Sequence, residues 1–138
     1  MEIPIEIQAS IFLKDFKKIV TQERGLDIVD RKENLKSLLQ LGFTKKNCKH
    51  EILNLSVSDY CAGPKPDKDR PGVIWEFGKK ISGYDVYIKL KIAEAGSVRI
   101  AKCISFHIAE FPIINPLKKK KQIKGEGGDD NERSVPKL

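Results

Sequence analysis

The segment from Asp85 to Ile92 alternates strictly between apolar and polar residues. Successive side chains of a β-strand point to opposite faces of its sheet, so the alternation predicts a strand with one buried and one polar face. The apolar set is Val86, Ile88, Leu90 and Ile92, and the polar set is Tyr87, Lys89 and Lys91. A phenol beside two ammonium groups is an unusual outward face for a strand near the middle of a sheet.

Two more alternating segments, residues 73–80 and 98–107, flank this strand. Ser82-Gly83 predicts a two-residue hairpin turn before it, and a second short turn follows at residues 94–97. Turns this short make the three strands antiparallel. The predicted core positions are Trp75 and Phe77 in the first strand and Val98, Ile100, Ile104 and Phe106 in the third.

Three helical patterns precede the strands. Apolar residues recur at helical spacing over residues 11–23, with Ser10 as a plausible N-cap. Asp30 and Glu33 have the form of a capping box for a second helix, and Thr44 caps a third. The sequence therefore predicts an α+β domain, with three or so helices packed on one face of a small antiparallel meander in the C-terminal half.

The connection from Cys61 to Gly72 contains three prolines and two glycines, so it is predicted as a long loop rather than a helix or central strand. It carries Lys65, Lys68 and Arg70. The loop is either functional or a solvated excursion with nearly balanced charge. One domain is predicted over residues 1–116, followed by a disordered Lys-rich and acidic tail over residues 117–138.

Composition narrows the class of protein. The chain has 138 residues, of which 40% are hydrophobic and 33% charged, and no apolar run approaches the roughly 18 residues of a membrane helix. The N-terminus lacks the features of a secretory signal, and three cysteines form no even disulfide set, so we expect a cytoplasmic protein with no membrane association. The net charge is +7, and +4 remains without the tail, which favours a polyanionic partner such as nucleic acid.

The strand register extends the polar face. The hairpin turn places Glu76 opposite Lys89, and an odd-length second turn places Tyr87 opposite Cys103 or Ser105, with His107 diagonally beyond. One face of the meander would then gather six polar side chains: Glu76, Tyr87, Lys89, Lys91, Ser105 and His107.

Such a face has the groups that RNA cleavage by the adjacent 2′-hydroxyl requires, namely a base, an acid and cations that stabilise the charged phosphorane. His107 is a candidate acid or base, and Glu76 is its counterpart, its orienting group or a partner of Lys89. Tyr87 and Lys89 are candidates for contacts with the reacting phosphate. Candidates for secondary RNA contacts are Lys65, Lys91 and Ser105. The same residues also allow two other interpretations: a face that only binds nucleic acid or protein, and a face that is merely solvated.

Several short segments resemble the MqsR family of toxins from bacterial type II toxin–antitoxin systems. The match runs over about residues 14–112 and rests on the order and spacing of its motifs. These motifs are Leu41-Gly42-Phe43, Ile52 to Ser56, Asp59-Tyr60, Trp75 to Lys79, Val86 to Leu90 and Cys103 to His107.

The resemblance implies a RelE-like fold and a ribosome-independent mRNA endoribonuclease that uses no metal or other cofactor. It also implies neutralisation by a cognate antitoxin, and we expect the free protein to be a monomer or small homo-oligomer. The family's Tyr and Lys correspond to Tyr87 and Lys89. Glu76 stands where the best-known member has Gln, and His107 where it has Lys. A further catalytic Lys aligns with Ala62, so that its role is empty or passes to Lys65.

Overall fold

A computed structural model describes residues 2–118, and all but the first two residues of the tail predicted over residues 117–138 lie outside the described residues. Three α-helices come first along the chain, and four of the five β-strands follow them. The elements are α1 (Ile5–Gln22), β1 (Leu26–Ile28), α2 (Lys32–Leu41), α3 (Lys45–Leu53), a 3₁₀ turn (Val57–Asp59), β2 (Tyr60–Pro66), β3 (Val73–Ile81), β4 (Tyr84–Ala95) and β5 (Val98–Ile108). Among these residues, no helix is both long enough and apolar enough to cross a membrane.

The five strands form one mixed sheet in the order β1-β5-β4-β3-β2. The predicted meander β3-β4-β5 is confirmed, but the prediction of a purely antiparallel sheet is wrong because β1 pairs in parallel with β5. β1 has only three residues, too few to show alternation. The prediction of a loop from residue 61 is wrong for β2, which contains Pro64 and Pro66. β2 is an edge strand, where proline is tolerated.

The helices differ from the sequence prediction mainly at their N-termini. α1 begins at Ile5 behind Pro4, so Ser10 lies inside the helix and does not cap it. Arg31 occupies the N-cap of α2 without a side-chain hydrogen bond, which makes the predicted Asp30 capping box wrong. The cap of α3 is confirmed, because the Thr44 side chain accepts a hydrogen bond from the backbone N–H three residues on.

The core lies between α1, α3 and one face of the sheet. The largest fully buried side chains include Phe16 from α1, Ile52 from α3, and Phe77 and Ile88 from the sheet. Phe12 stacks on Trp75 with their ring centroids 5.1 Å apart. Burying aromatic rings of this size supplies much of the free energy that stabilises a small domain.

A β-bulge in β5 changes which side chains face this core. Lys89 pairs with Ser105 but Leu90 pairs with Cys103, so Ile104 has no partner on β4. The residues on either side of a bulge are out of phase. Cys103 is therefore buried in the core and Ile104 is on the opposite face. The predicted single alternation through β5 is wrong for its first half, where Ile100 and Ile104 had been expected in the core.

Helix α2 lies along the edge of β5 that β1 leaves free. The Asn34 carboxamide accepts a hydrogen bond from the Phe106 N–H (3.0 Å) and donates to the carbonyls of Val29 (3.0 Å) and Ile104 (3.1 Å). Two residues further along β5, the Ile108 N–H donates to the hydroxyl of the next α2 turn. These side chains satisfy backbone groups that a neighbouring strand would otherwise pair.

Candidate functional site

The outward face of the meander gathers the predicted polar residues in a closer arrangement than expected. Glu76 lies opposite Lys89, as predicted. The bulge brings His107 directly opposite Tyr87 rather than diagonally beyond it, and Ser105 opposite Lys89. The rings of Tyr87 and His107 are 5.6 Å apart between centroids, inclined by 53°. Four of the proposed reactive side chains therefore occupy neighbouring positions on three adjacent strands.

The Glu76 carboxylate is almost buried and is the centre of this arrangement. It accepts a hydrogen bond from the Tyr87 hydroxyl and forms an ion pair with Lys65 (3.2 Å). Burial and the adjacent Glu76 carboxylate raise the pKa of Tyr87 above its ordinary value. Tyr87 is therefore a neutral phenol near pH 7, able to donate a hydrogen bond but not to take up a proton.

The His107 imidazole is positioned with one nitrogen turned toward the backbone. Its Nδ1 is 3.2 Å from the Ile108 carbonyl oxygen, an acceptor that favours the tautomer with the proton on Nδ1. In that tautomer the other nitrogen, Nε2, is the one that can accept a proton. Lys89 also approaches Tyr87, with its Nζ over the ring and 5.7 Å from the ring centroid. The phenol is thus close to both an imidazole and an ammonium group.

Two predicted RNA contacts are not available at the surface. Lys91 is only 3% exposed, and its ammonium forms a 2.5 Å ion pair with Asp67 in the β2–β3 connection. This pairing lowers the pKa of Asp67 to about 2. Ser105 is 2% exposed and lies beneath the same face. The structure therefore places Lys91 in a structural ion pair and leaves Ser105 without access to a ligand.

Three further positions, Cys103, Cys61 and Ala62, supply no nucleophile or proton-transfer group. Cys103 is fully buried, and its contact with Cys48 together with burial raises its pKa, so it is no nucleophile. Burial, aided by the charge of Glu76, raises the pKa of the Cys61 thiol to about 11. Ala62 pairs with Glu76 on the neighbouring strand. Position 62 therefore lies beside Glu76 without a reactive side chain, and Lys65 is the lysine of that strand.

A hollow of about 520 Å³ extends from Glu76 and Lys89 toward the β2–β3 connection, and we call it the basic hollow. Seven cationic and three acidic residues line it, so it offers a positive potential to a polyanion. The cationic residues are Arg31, Lys65, Lys68, Arg70, Lys89, Lys91 and Lys102. The sequence indicated Lys65, Lys68 and Arg70 as a group but did not indicate Arg31 or Lys102, because the bulge decides where Lys102 points.

A second hollow of about 780 Å³ lies on the other side of Tyr87, and we call it the aromatic hollow. Its floor includes Tyr87 and His107, and one wall is the segment Ala109–Ile114 that follows β5. The other wall is a face of α2, formed by Glu33, Lys36, Ser37 and Gln40. The sequence does not indicate this hollow, because the apolar pattern fades after residue 111 and gives no sign that the chain folds back over the sheet.

Within residues 2–118, no three His, Cys, Asp or Glu side chains are grouped so that they could share a metal ion. On the outward face, Glu76, Tyr87, Lys89 and His107 bring together a carboxylate, a phenol, an ammonium and an imidazole, which are groups able to transfer protons and bind an anion. Comparison with known proteins found no matching family model, no matching curated protein and no matching solved structure. The indications of function that remain are the grouped side chains of the outward face and the basic hollow beside them.

Proposed function

We propose that the protein is an endoribonuclease that cleaves mRNA by attack of a 2′-hydroxyl, and that it acts as the toxin of a type II toxin–antitoxin system. The observation that carries the proposal is the grouping of His107, Tyr87, Glu76 and Lys89 on one sheet face beside the basic hollow. The similarity of this chain's motifs to those of the MqsR family supports the proposal that the protein acts as a toxin. It also supports a RelE-like assignment of the fold and a cytoplasmic site of action.

The proposed reaction assigns the first proton transfer to His107. Its Nε2 takes the proton from the 2′-hydroxyl, and the resulting oxyanion attacks phosphorus. The bond from phosphorus to the 5′-oxygen breaks, leaving a 2′,3′-cyclic phosphate and a 5′-oxygen that must gain a proton. The Tyr87 hydroxyl, which donates a hydrogen bond to Glu76 in the free protein, turns to the 5′-oxygen and donates that proton. The 5′-oxygen becomes an alcohol, which is a weaker acid than a phenol, so transfer of the proton from Tyr87 to the 5′-alkoxide is favourable. The raised pKa of Tyr87 makes this driving force smaller than for an ordinary phenol.

Lys89 and Lys65 are assigned to the charge on the phosphorane. Both border the basic hollow, and the side chain of Lys65 is 56% exposed. Cations placed where negative charge develops stabilise the transition state without needing to be rearranged during the reaction. Lys91 and Ser105 are not assigned a contact with RNA, since both are buried.

The test is expression in bacteria of the wild type, His107→Ala and His50→Ala. The chain has two histidines, and His50 lies exposed on α3, so it is a matched control. We expect growth arrest and new mRNA 5′ ends with the wild type and His50→Ala. Loss of one general acid–base group should slow purified His107→Ala by about 10²–10⁴-fold. Equal arrest by His107→Ala would contradict the assignment of that residue.

A substrate with sulfur in place of the bridging 5′-oxygen separates the two proton transfers. Its thiolate leaves without protonation, so this substrate needs the base but not the acid. We expect it to restore the rate of Tyr87→Phe and not that of His107→Ala. The reverse pattern would exchange the two roles.

A non-catalytic RNA-binding module is the second candidate. It is favoured by the engagement of Glu76 with both Tyr87 and Lys65, which leaves few free groups for proton transfer. Purified wild-type protein that binds RNA with a salt-dependent affinity but produces no cyclic phosphate would support this second function over the first.

A further inference from the structure

We propose that the aromatic hollow binds a nucleobase of single-stranded RNA, with the Phe111 ring as its stacking surface. The inference rests on the proposed function, since it places a base next to the side chains that act on the phosphate. It adds a specificity site formed in part by the chain that follows β5, a segment whose sequence indicates no role.

The position of Phe111 is the first observation. Its side chain is 77% exposed, although burial of an aromatic ring is strongly favourable. The segment that carries it is anchored at both ends. The Ala109 N–H donates to the Asp85 carbonyl (2.8 Å), and the Asn115 carboxamide donates to the carbonyls of Asp59 (2.9 Å) and Gly78 (3.1 Å). An exposed ring on an anchored segment is available to a ligand with little cost in ordering.

A close approach between this segment and the sheet is the second observation. Gly78 lies opposite Tyr87 on β4, and the side chain of Ile113 occupies the space where a Cβ of Gly78 would lie. A Cβ atom added to Gly78 would lie 2.7 Å from side-chain carbons of Ile113, which is closer than van der Waals contact allows. The missing side chain thus lets the segment after β5 lie close against the outward face, where it forms a wall of the aromatic hollow.

The opposite wall offers polar groups suited to the edge of a base. Glu33, Lys36, Ser37 and Gln40 are spaced so that they share one face of α2 and border the hollow together. They provide a carboxylate, an ammonium, a hydroxyl and a carboxamide. The hollow, at about 780 Å³, has the size of sites that enclose small ligands, about 300–1,000 Å³.

The two hollows differ in the charge of the side chains that line them, and this difference matches the two parts of a nucleotide. The basic hollow carries an excess of cations, whereas one lysine and two glutamates line the aromatic hollow beside its exposed ring. Tyr87 and Glu76, joined by a hydrogen bond, lie between them. A nucleotide has the same division into a charged phosphate and a flat, nearly neutral base. Proteins bind single-stranded RNA with cationic tracks for the backbone and aromatic rings for the bases.

The experiment measures binding apart from cleavage. Fluorescein-labelled RNA octamers with 2′-fluoro sugars lack the attacking hydroxyl, and a matched series carries an abasic sugar at one position in turn. Fluorescence anisotropy gives the affinity of the wild type, Phe111→Leu, Phe111→Tyr, Lys89→Ala and Leu39→Ala. Leu39 is the control, since its side chain on α2 is 84% exposed and does not border the hollow.

We expect an abasic sugar at one position to weaken wild-type binding about tenfold, and Phe111→Leu to cause the same loss on intact octamers. Phe111→Leu and the abasic change should not add to each other. Phe111→Tyr and Leu39→Ala should bind as the wild type does, while Lys89→Ala should weaken every octamer alike.

Three results would overturn the inference. These are no effect of any abasic position, an equal loss by Phe111→Leu on intact and abasic octamers, or unchanged RNA binding by Phe111→Leu. Loss of antitoxin binding by Phe111→Leu together with unchanged RNA binding would assign the hollow to a protein partner. Cleavage of an unmodified octamer is measured separately, so that base-dependent binding without cleavage would reject the proposed enzyme and support the base site.

Discussion

Replacement of Asn34 by Ala tests how α2 holds the strand that carries His107. Asn34 is 1% exposed, and its carboxamide makes three hydrogen bonds to backbone groups, one of them from the Phe106 N–H. Ser37, one helical turn later, makes a single bond of the same kind to the Ile108 N–H at 3.0 Å. Asn34 thus makes three hydrogen bonds to backbone groups and Ser37 makes one. His107 lies on β5 between the two strand residues whose N–H groups they bind.

The expected loss of stability follows from these bonds. A neutral hydrogen bond contributes about 1 kcal/mol to stability, and a buried polar group left without a partner costs about 1–3 kcal/mol. Asn34→Ala removes three such bonds and should cost about 3 kcal/mol, while Ser37→Ala should cost about 1 kcal/mol. With a denaturant slope of about 1.5 kcal/mol/M, the larger loss lowers the urea midpoint by about 2 M.

Urea unfolding followed by tryptophan fluorescence measures this difference, because Trp75 lies in the core against Phe12. Lys36→Ala, on an exposed position of the same helix, is the control and should change stability by no more than about 0.5 kcal/mol. A loss for Asn34→Ala that is no larger than that for Ser37→Ala would refute the view that this carboxamide takes the place of a strand along β5.

Two other predictions concern pH. The pKa of Tyr87 is raised by burial and by Glu76, so its neutral form stabilises the fold below pH 10 and that contribution is lost as the pH rises further. In a titration of phenolate absorbance near 295 nm, Tyr87→Phe should remove only the part of the rise that occurs above pH 10, and removal of an earlier part would contradict this. The pKa of Asp67 is lowered to about 2 by its bond with Lys91, so its carboxylate stabilises the fold above about pH 4 and that contribution is lost as the pH falls toward 2. Urea unfolding at pH 6 and pH 2.5 should therefore show a difference between wild type and Asp67→Asn that shrinks at the lower pH, and a constant difference would argue against the ion pair.

The meander was predictable because its signal is local. Alternation and two short turns place β3, β4 and β5 side by side, and the turn at Ser82-Gly83 correctly set Glu76 opposite Lys89. The parallel strand β1 was not predictable in this way, since three residues carry no period and their partner is some 75 positions away in the chain. The starts of α1 and α2 were predicted wrongly for another reason, because neither N-cap residue, Pro4 or Arg31, makes the side-chain hydrogen bond by which a cap is recognised in a sequence.

The sequence predicted which four side chains share the outward face better than it predicted how they are arranged on it. Tyr87, Lys89, Glu76 and His107 do share a face, but a bulge that alternation alone does not reveal decides that His107 faces Tyr87 directly. Burial of Lys91 also had no local signal, since its partner Asp67 comes from a distant connection. The aromatic hollow depends on a chain segment without periodicity, so only the folded arrangement brings it to the site.

The unpaired Ile104 has a consequence for how the length of β5 can change. It separates the strand into two halves whose inward sides are set independently, with Cys103 inward before it and Phe106 inward after it. Deletion of Ile104 would remove the bulge and leave Leu90 opposite Cys103 and Lys89 opposite Ser105, so both halves would keep their inward sides. Deletion of one residue at another position of the strand would turn one half over, exposing Cys103 or carrying His107 into the core. Position 104 is therefore a place where chains descended from this one can lose a residue from β5 without exchanging a chemical surface for an apolar one.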